Sequence, residues 1–160
     1  MANFKTNAMR LLDKAGIPYR VHTYTADDGV PDGETVATKI GMPAERVFKT
    51  LVTVGSNRNP YIFVLPVTRE LDLKAAARAV DEKALSMLKV TDLEKTTGYV
   101  RGGCSPLGMK KDFPVCFDEA AGSLETMVVS AGKIGFQVEV APAALLALCR
   151  GKMAAIVMPE

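Results

Sequence analysis

Arg46-Val-Phe-Lys-Thr-Leu-Val-Thr-Val54 sets one lysine into an otherwise apolar, β-branched run. Val47, Phe48, Leu51, Val52 and Val54 fit a strand with a face in the core. An ammonium in the interior of such a strand either reaches water along its methylenes or enters a polar cavity. Two glycine-rich stretches lie downstream: Gly102-Gly103-Cys104-Ser105-Pro106-Leu107-Gly108 and Ser130-Ala131-Gly132-Lys133-Ile134-Gly135. Their backbone N–H groups can wall such a cavity. Lys49 and the two loops are therefore the place to look for function.

Working outward, Ala8, Leu11, Leu12 and Ala15 repeat at helical spacing before Gly16 and Pro18, which mark the end of an amphipathic helix. Tyr19 to Tyr24 alternates as a strand, and Ala26 to Gly33 reads as a loop. Asp32 is placed to cap a short helix through Ile40, closed by Gly41 and Pro43. Gly55 to Pro60 connects the Lys49 strand to a returning one, Tyr61 to Val67. Asp72 caps a helix to about Val80; a second helical stretch is expected over Asp81 to Leu88, and a third from Thr91 to Gly98. Strands follow at Val115 to Phe117, Thr126 to Ser130 and Phe136 to Val140. Pro142 opens a helix that ends near Gly151, and Ala154 to Val157 forms a last strand. The irregular mixture predicts one α+β domain over residues 1–160, with a curved, mixed, partly barrel-like sheet and short helices around it.

The chain has 160 residues, enough for one domain with an ample core. A net charge of +2 neither demands nor excludes a nucleic-acid partner. No apolar run approaches the roughly 18–20 residues that span a bilayer, and Met1 to Thr6 has no apolar leader core, so the cytoplasm is the expected location. Cys104, Cys116 and Cys149 make neither a disulfide framework nor a C-x-x-C metal site. His22 is the one histidine, so a Ser–His or Cys–His mechanism would have to use it. No metal or organic cofactor is implied.

Each candidate residue also has a plain structural reading. Lys49 can be a snorkelling surface lysine, and Ser130 can be a turn serine bonded to its own loop. Tyr24 and His22, on one strand face, fit simple packing. The glycines supply positive φ, and neither loop has the spacing of a phosphate-binding P-loop or dinucleotide fingerprint. Nothing near Cys104 in sequence would activate its thiol. The residues alone support a pocket for a small molecule or an oligonucleotide end, with one cationic anchor.

The same segments resemble the YbaK/EbsC family, relatives of the editing (insertion) domain of bacterial prolyl-tRNA synthetase. The likeness runs through Thr6-Asn-Ala-Met-Arg-Leu-Leu12, Ile17-Pro18-Tyr19, His22-Thr-Tyr24, Arg46-Val-Phe-Lys-Thr-Leu51 and both glycine loops. It implies a trans-editing deacylase that cleaves the ester between a wrong amino acid and the terminal ribose of tRNA, with Cys-tRNA(Pro) as the leading substrate. The family picture is substrate-assisted: the thiol of the bound cysteine attacks its own ester. By this resemblance Lys49 is the functional lysine. Tyr24, Thr50, Gly102, Gly103, Ser105, Ser130 and Gly132 bind the aminoacyl-adenosine, and amides of Gly102, Gly103 or Gly132 stabilise the oxyanion. Two alternatives stay open: a deacylase for another small amino acid such as alanine, and a non-catalytic aminoacyl-tRNA or nucleotide-binding module of the same fold.

Two positions depart from the family pattern. Gln137 stands where an aspartate is frequent, and Thr25-Ala26-Asp27 where a His-Asp pair often follows the tyrosine. Both bear on amino-acid preference. The partner implied is the tRNA acceptor end, with Arg46, Lys110, Lys111 and Lys133 as candidate phosphate contacts. The modest charge predicts weak tRNA binding, with prolyl-tRNA synthetase as the candidate helper and no membrane partner.

Overall fold

A computed structural model describes residues 4–27 and 29–160. Met1 to Asn3, part of the opening stretch read for a leader, and Asp28, inside the loop expected over 26–33, lie outside the described residues. Local sequence signals set most of the elements. Helix α1 (Asn7–Lys14) starts where the Thr6 hydroxyl accepts from the Met9 N–H. Strand β1 spans Arg20–Thr23. Helix α2 (Gly33–Ile40) is capped by Asp32, whose carboxylate accepts from the Thr35 N–H, and ends at Gly41 in the left-handed region. A single 3-10 turn over Ala44–Arg46 feeds β2 (Phe48–Val54), which returns as β3 (Pro60–Pro66). Asp72 caps α3 (Leu73–Ala79) through the Lys74 and Ala75 N–H groups.

The helix expected over Asp81 to Leu88 does not form. Asp81 takes φ of +61°, and the Glu82 carboxylate is drawn to the Ser56 N–H and hydroxyl and to the Tyr61 phenol. The chain then runs extended as β4 (Ser86–Met87), and the Leu88 N–H donates to the Val52 carbonyl. Tertiary hydrogen bonds here override a local helical preference. The remaining elements are α4 (Val90–Thr97), β5 (Val115–Asp118), β6 (Met127–Lys133), β7 (Phe136–Val140), α5 (Pro142–Cys149) and β8 (Lys152–Ala154). The last strand thus lies two to three residues before its expected place. Val157 instead bridges Leu71, and the Asp72 N–H donates to Ile156.

The strands form two sheets, one ordered β1-β7-β6 and one ordered β4-β2-β3-β5-β8. The first is antiparallel; the second is mixed, because β3, β5 and β8 run parallel. An isolated bridge between Val47 and Val128 joins them. The expected α+β domain with a mixed sheet is present, but the sheets do not close into a barrel among the described residues. The main core lies between the sheets and includes Phe48, Val52, Ile62, Phe117, Val129 and Val138. A second core, with Phe63, Leu65, Cys116 and Ile156, fills the other face of the five-stranded sheet beneath α3. Burial of both faces explains why β3 reads as a continuous apolar run. Among the described residues no helix is long and apolar enough to cross a membrane.

Candidate functional site

Hydrogen bonds to β3 decide which way the backbone of β2 faces. The Val67 N–H donates to the Val47 carbonyl and the Gly55 N–H to the Asn59 carbonyl, so odd-numbered residues of β2 turn their amide groups toward β3. Even-numbered residues turn away, as the bond from Leu88 to Val52 confirms. On that side β4 registers with β2 only at Thr53 and Val54, and the bridge to β6 sits at Val47. Between them the edge at Lys49 to Leu51 is uncovered, a gap of roughly 10 Å. The N–H and C=O of Thr50 point into it.

A cavity of about 810 Å³ lies along this gap. The six consecutive residues Val47 to Val52 all line it, which alternating side chains on one face could not do; the cavity follows the strand edge. Its other walls are Ser130 and Gln137 from the three-stranded sheet, the first turn of α2, and Arg101, Gly102 and Cys104 from the first glycine loop. The rim carries exposed Val30, Met87 and Val90.

Lys49 therefore does project into a cleft beside the first glycine loop. Its side chain is 28% exposed, and Nζ lies 3.9 Å from Oε2 of Glu70, itself 86% exposed. A pair so open to water holds the ammonium loosely and leaves it available to an anion. Thr50 Oγ1 is buried with no hydrogen-bond partner, whereas nearly all buried polar atoms have one. Ser130 is buried, and its hydroxyl accepts from the Gly132 N–H at 3.1 Å. Cys104 reaches the cavity wall, but burial pushes its thiol up to about 12, so it is protonated at neutral pH.

Of the sequence-predicted residues, the structure brings Lys49, Thr50, Gly102 and Ser130 together around the cavity. Tyr24, Gly103, Ser105 and Gly132 are not among its lining residues. The Tyr24 N–H donates to the Gly135 carbonyl, and Ser105 is fully buried with its hydroxyl accepting from the Leu107 N–H. The Gly103 N–H is taken by the Val100 carbonyl and that of Gly132 by Ser130, so neither is free for an oxyanion. The Gly102 N–H donates to no backbone carbonyl among the described residues.

Gly132 instead has a structural duty. It holds φ of +97°, and a Cβ there would sit 2.9 Å from the Tyr99 ring. Gly132→Ala is expected to cost about 1–3 kcal/mol, read as a lowered urea midpoint, because both strain and overlap oppose it.

The expected basic contacts are arranged differently. Arg46 turns away from the cavity toward Thr126 and Glu139. Lys133 lies over the rings of Phe4 and Phe136, and Lys110 Nζ donates to the Lys95 carbonyl. Arg101 is the exposed cation at the mouth. Its position beside the glycine pair was the available signal, and sequence reasoning passed over it. The Met87 to Val90 rim was hidden by the helix expected there. His22 Nε2 sits 2.8 Å from Glu139 Oε1, so the one imidazole is hydrogen-bonded to a carboxylate away from the cavity lining. Among the described residues no three His, Cys, Asp or Glu side chains gather as a metal site requires.

The model of the aminoacyl-tRNA editing domain matches residues 27–148, a span containing every wall of this cavity. The chain belongs to this family. The family's relatives extend the likeness along the whole chain. A protein of Enterococcus faecalis (strain ATCC 700802 / V583) named "Putative Cys-tRNA(Pro)/Cys-tRNA(Cys) deacylase EbsC" is 46% identical over 98% of this chain and 95% of its own length. The crystal structure of "a putative trans-editing enzyme for prolyl tRNA synthetase" superposes with a TM-score of 0.84 at 24% identity, covering 98% of this chain and all of that one. The "hypothetical protein APE2540" does so with a TM-score of 0.85 at 16% identity, over 96% of this chain and all of that one. These two structures share the family's fold with this chain.

Proposed function

We propose that this chain is a trans-editing aminoacyl-tRNA deacylase whose foremost substrate is cysteine esterified to tRNA(Pro). The observation that carries the reading is the uncovered β2 edge, where a loosely held ammonium and the unpaired backbone edge at Thr50 face one cavity. The acceptor end lies across the mouth at Arg101 and Lys49, and the aminoacyl group enters between Thr50 and Gln137. EbsC and the family description support this reading.

The protein brings little reactive chemistry of its own. Burial pushes the thiols of Cys104 and Cys149 up to about 12 and that of Cys116 to about 11, and His22 is engaged by Glu139. A nucleophile supplied by the substrate fits such a site. The cysteine sulfur attacks the carbonyl carbon of its own ester, and the bond from that carbon to the ribose 3′ oxygen breaks. The thiol proton ends on the released ribose oxygen, leaving free tRNA and a four-membered thiolactone that water opens to cysteine. Fixing an intramolecular attack is worth up to about 7–11 kcal/mol. The Lys49 ammonium and the Gly102 N–H stabilise the negative charge that develops on oxygen.

The test is ester loss from a panel of 3′-labelled aminoacyl-tRNAs. Cys-tRNA(Pro) is expected to be cleaved fastest, and S-methylcysteinyl-tRNA(Pro), which lacks the nucleophile, to survive at its uncatalysed rate. Equal cleavage of the two would remove substrate assistance. Survival of every ester would remove the deacylase itself.

A further inference from the structure

Tyr99 is not among the residues that line the cavity, yet both glycine loops are built around it. It follows directly on α4 and its capping Gly98, and is only 9% exposed. Its phenol donates to the Leu107 carbonyl, which ties the start of the first glycine loop to its end. Two glycines, one in each loop, make room for the side chain. A Cβ at Gly108 would stand 2.8 Å from the phenol oxygen, and one at Gly132 would stand 2.9 Å from Cε1 of the ring. The loops also touch each other: a Cβ at Gly103 would meet the Ile134 nitrogen at 3.2 Å. Burial pushes the phenol up to about 12, so it remains a protonated donor near neutral pH. Glycine backbone is conformationally permissive and brings no side chain to fix its own path. A buried ring with one hydrogen bond therefore sets much of the order of both loops.

We infer that Tyr99 is a positioning residue: its phenol pins the two glycine loops to each other and so holds the Gly102 N–H and Ser130 in place in the cavity wall. This rests on the deacylase reading above and adds to it a residue that acts only through others. Gly102 lies three residues after Tyr99, and Ser130 lies two before Gly132, so a shift of the ring passes directly to the wall. Misplacing a reacting group by about 1 Å can cost about 100-fold in rate. Removing the hydroxyl while the ring still fills the space between the loops relaxes the wall less than that.

The test is Tyr99→Phe, read by native-state hydrogen exchange and by single-turnover kinetics. The amides of Gly103 and Gly132, one in each loop, are expected to quicken together by at least about fivefold more than the Val64 amide of doubly paired β3, which follows global unfolding. In cleavage of Cys-tRNA(Pro), the rate at saturating protein is expected to fall about tenfold, with the half-saturating concentration within about threefold of the parent's. Gly108→Ala crowds the phenol oxygen from the other side and gives the same two readings should Tyr99→Phe not fold. Quickening confined to one loop, or no greater than that of Val64, would overturn the pinning. An unchanged saturating rate in a folded variant, or a change in half-saturation alone, would overturn the positioning role. Absence of cleavage by the intact protein would instead remove the deacylase reading, while exchange still decides whether Tyr99 couples the loops, so the two failures are told apart.

Discussion

Lys49→Ala is expected to slow deacylation of Cys-tRNA(Pro) by at least about 100-fold while the thermal midpoint moves by no more than about 2–4 °C. The two halves of this expectation come from the same geometry. The contact with Glu70 is long and open to water, so losing it costs at most about 1 kcal/mol of stability. In the proposed reaction, the ammonium faces charge developing inside a cleft, where one such donor is typically worth about 3 kcal/mol. Cys104→Ala, on the same cavity wall, is expected to stay within about threefold of the parent rate, because the buried thiol remains protonated at working pH. Single-turnover assays on both variants decide the matter. A comparable loss in each would make the protein's own sulfur the nucleophile and end the substrate-assisted account.

How far the sequence revealed this site depended on whether local chemistry or tertiary pairing set each part. Helix α1 was legible from the spacing of Ala8, Leu11 and Leu12 before Gly16 and Pro18, and α2 and α3 because Asp32 and Asp72 cap them with their own side chains. Strand β3 was legible because it is buried on both faces. The segment 81–88 was not, since its extended path is imposed by Glu82 reaching Ser56 and Tyr61 and by pairing with Val52. The lysine itself was visible as a charge in an apolar run, but the sequence suggested a strand face and the structure shows a strand edge. Periodicity reports which face a side chain occupies; it carries no information on where a neighbouring strand stops. That endpoint, β4 pairing only at Thr53 and Val54, opens the cavity. The glycine loops were over-read for the same reason. The Gly103 and Gly132 N–H groups looked free, and only the folded chain supplies Val100 and Ser130 as their acceptors.

Glu139→Ala is expected to destabilise the fold by about 3 kcal/mol, lowering the thermal midpoint by about 6–12 °C. The Glu139 carboxylate, 14% exposed, is the shared acceptor for His22 on β1, Thr126 just before β6 and Arg46 in the turn ahead of β2. Removing it leaves all three partners half-buried without their acceptor, and loosens the join between the two sheets three residues before Lys49. Glu139→Gln keeps an acceptor in place and isolates the charge. The Thr126 hydroxyl foremost, then His22, hold the Glu139 carboxyl below its ordinary value of 4.5. Its folded form therefore binds a proton less readily than its unfolded form. The stability this confers is complete above about 4.5 and is lost as pH falls through the lower folded value. The gap in unfolding free energy between the parent and Glu139→Gln should accordingly be widest near about pH 6 and shrink toward about pH 3 in urea titrations. A gap that stays constant over that range would mean the carboxylate's charge contributes nothing, and that packing alone holds the sheets together at this corner.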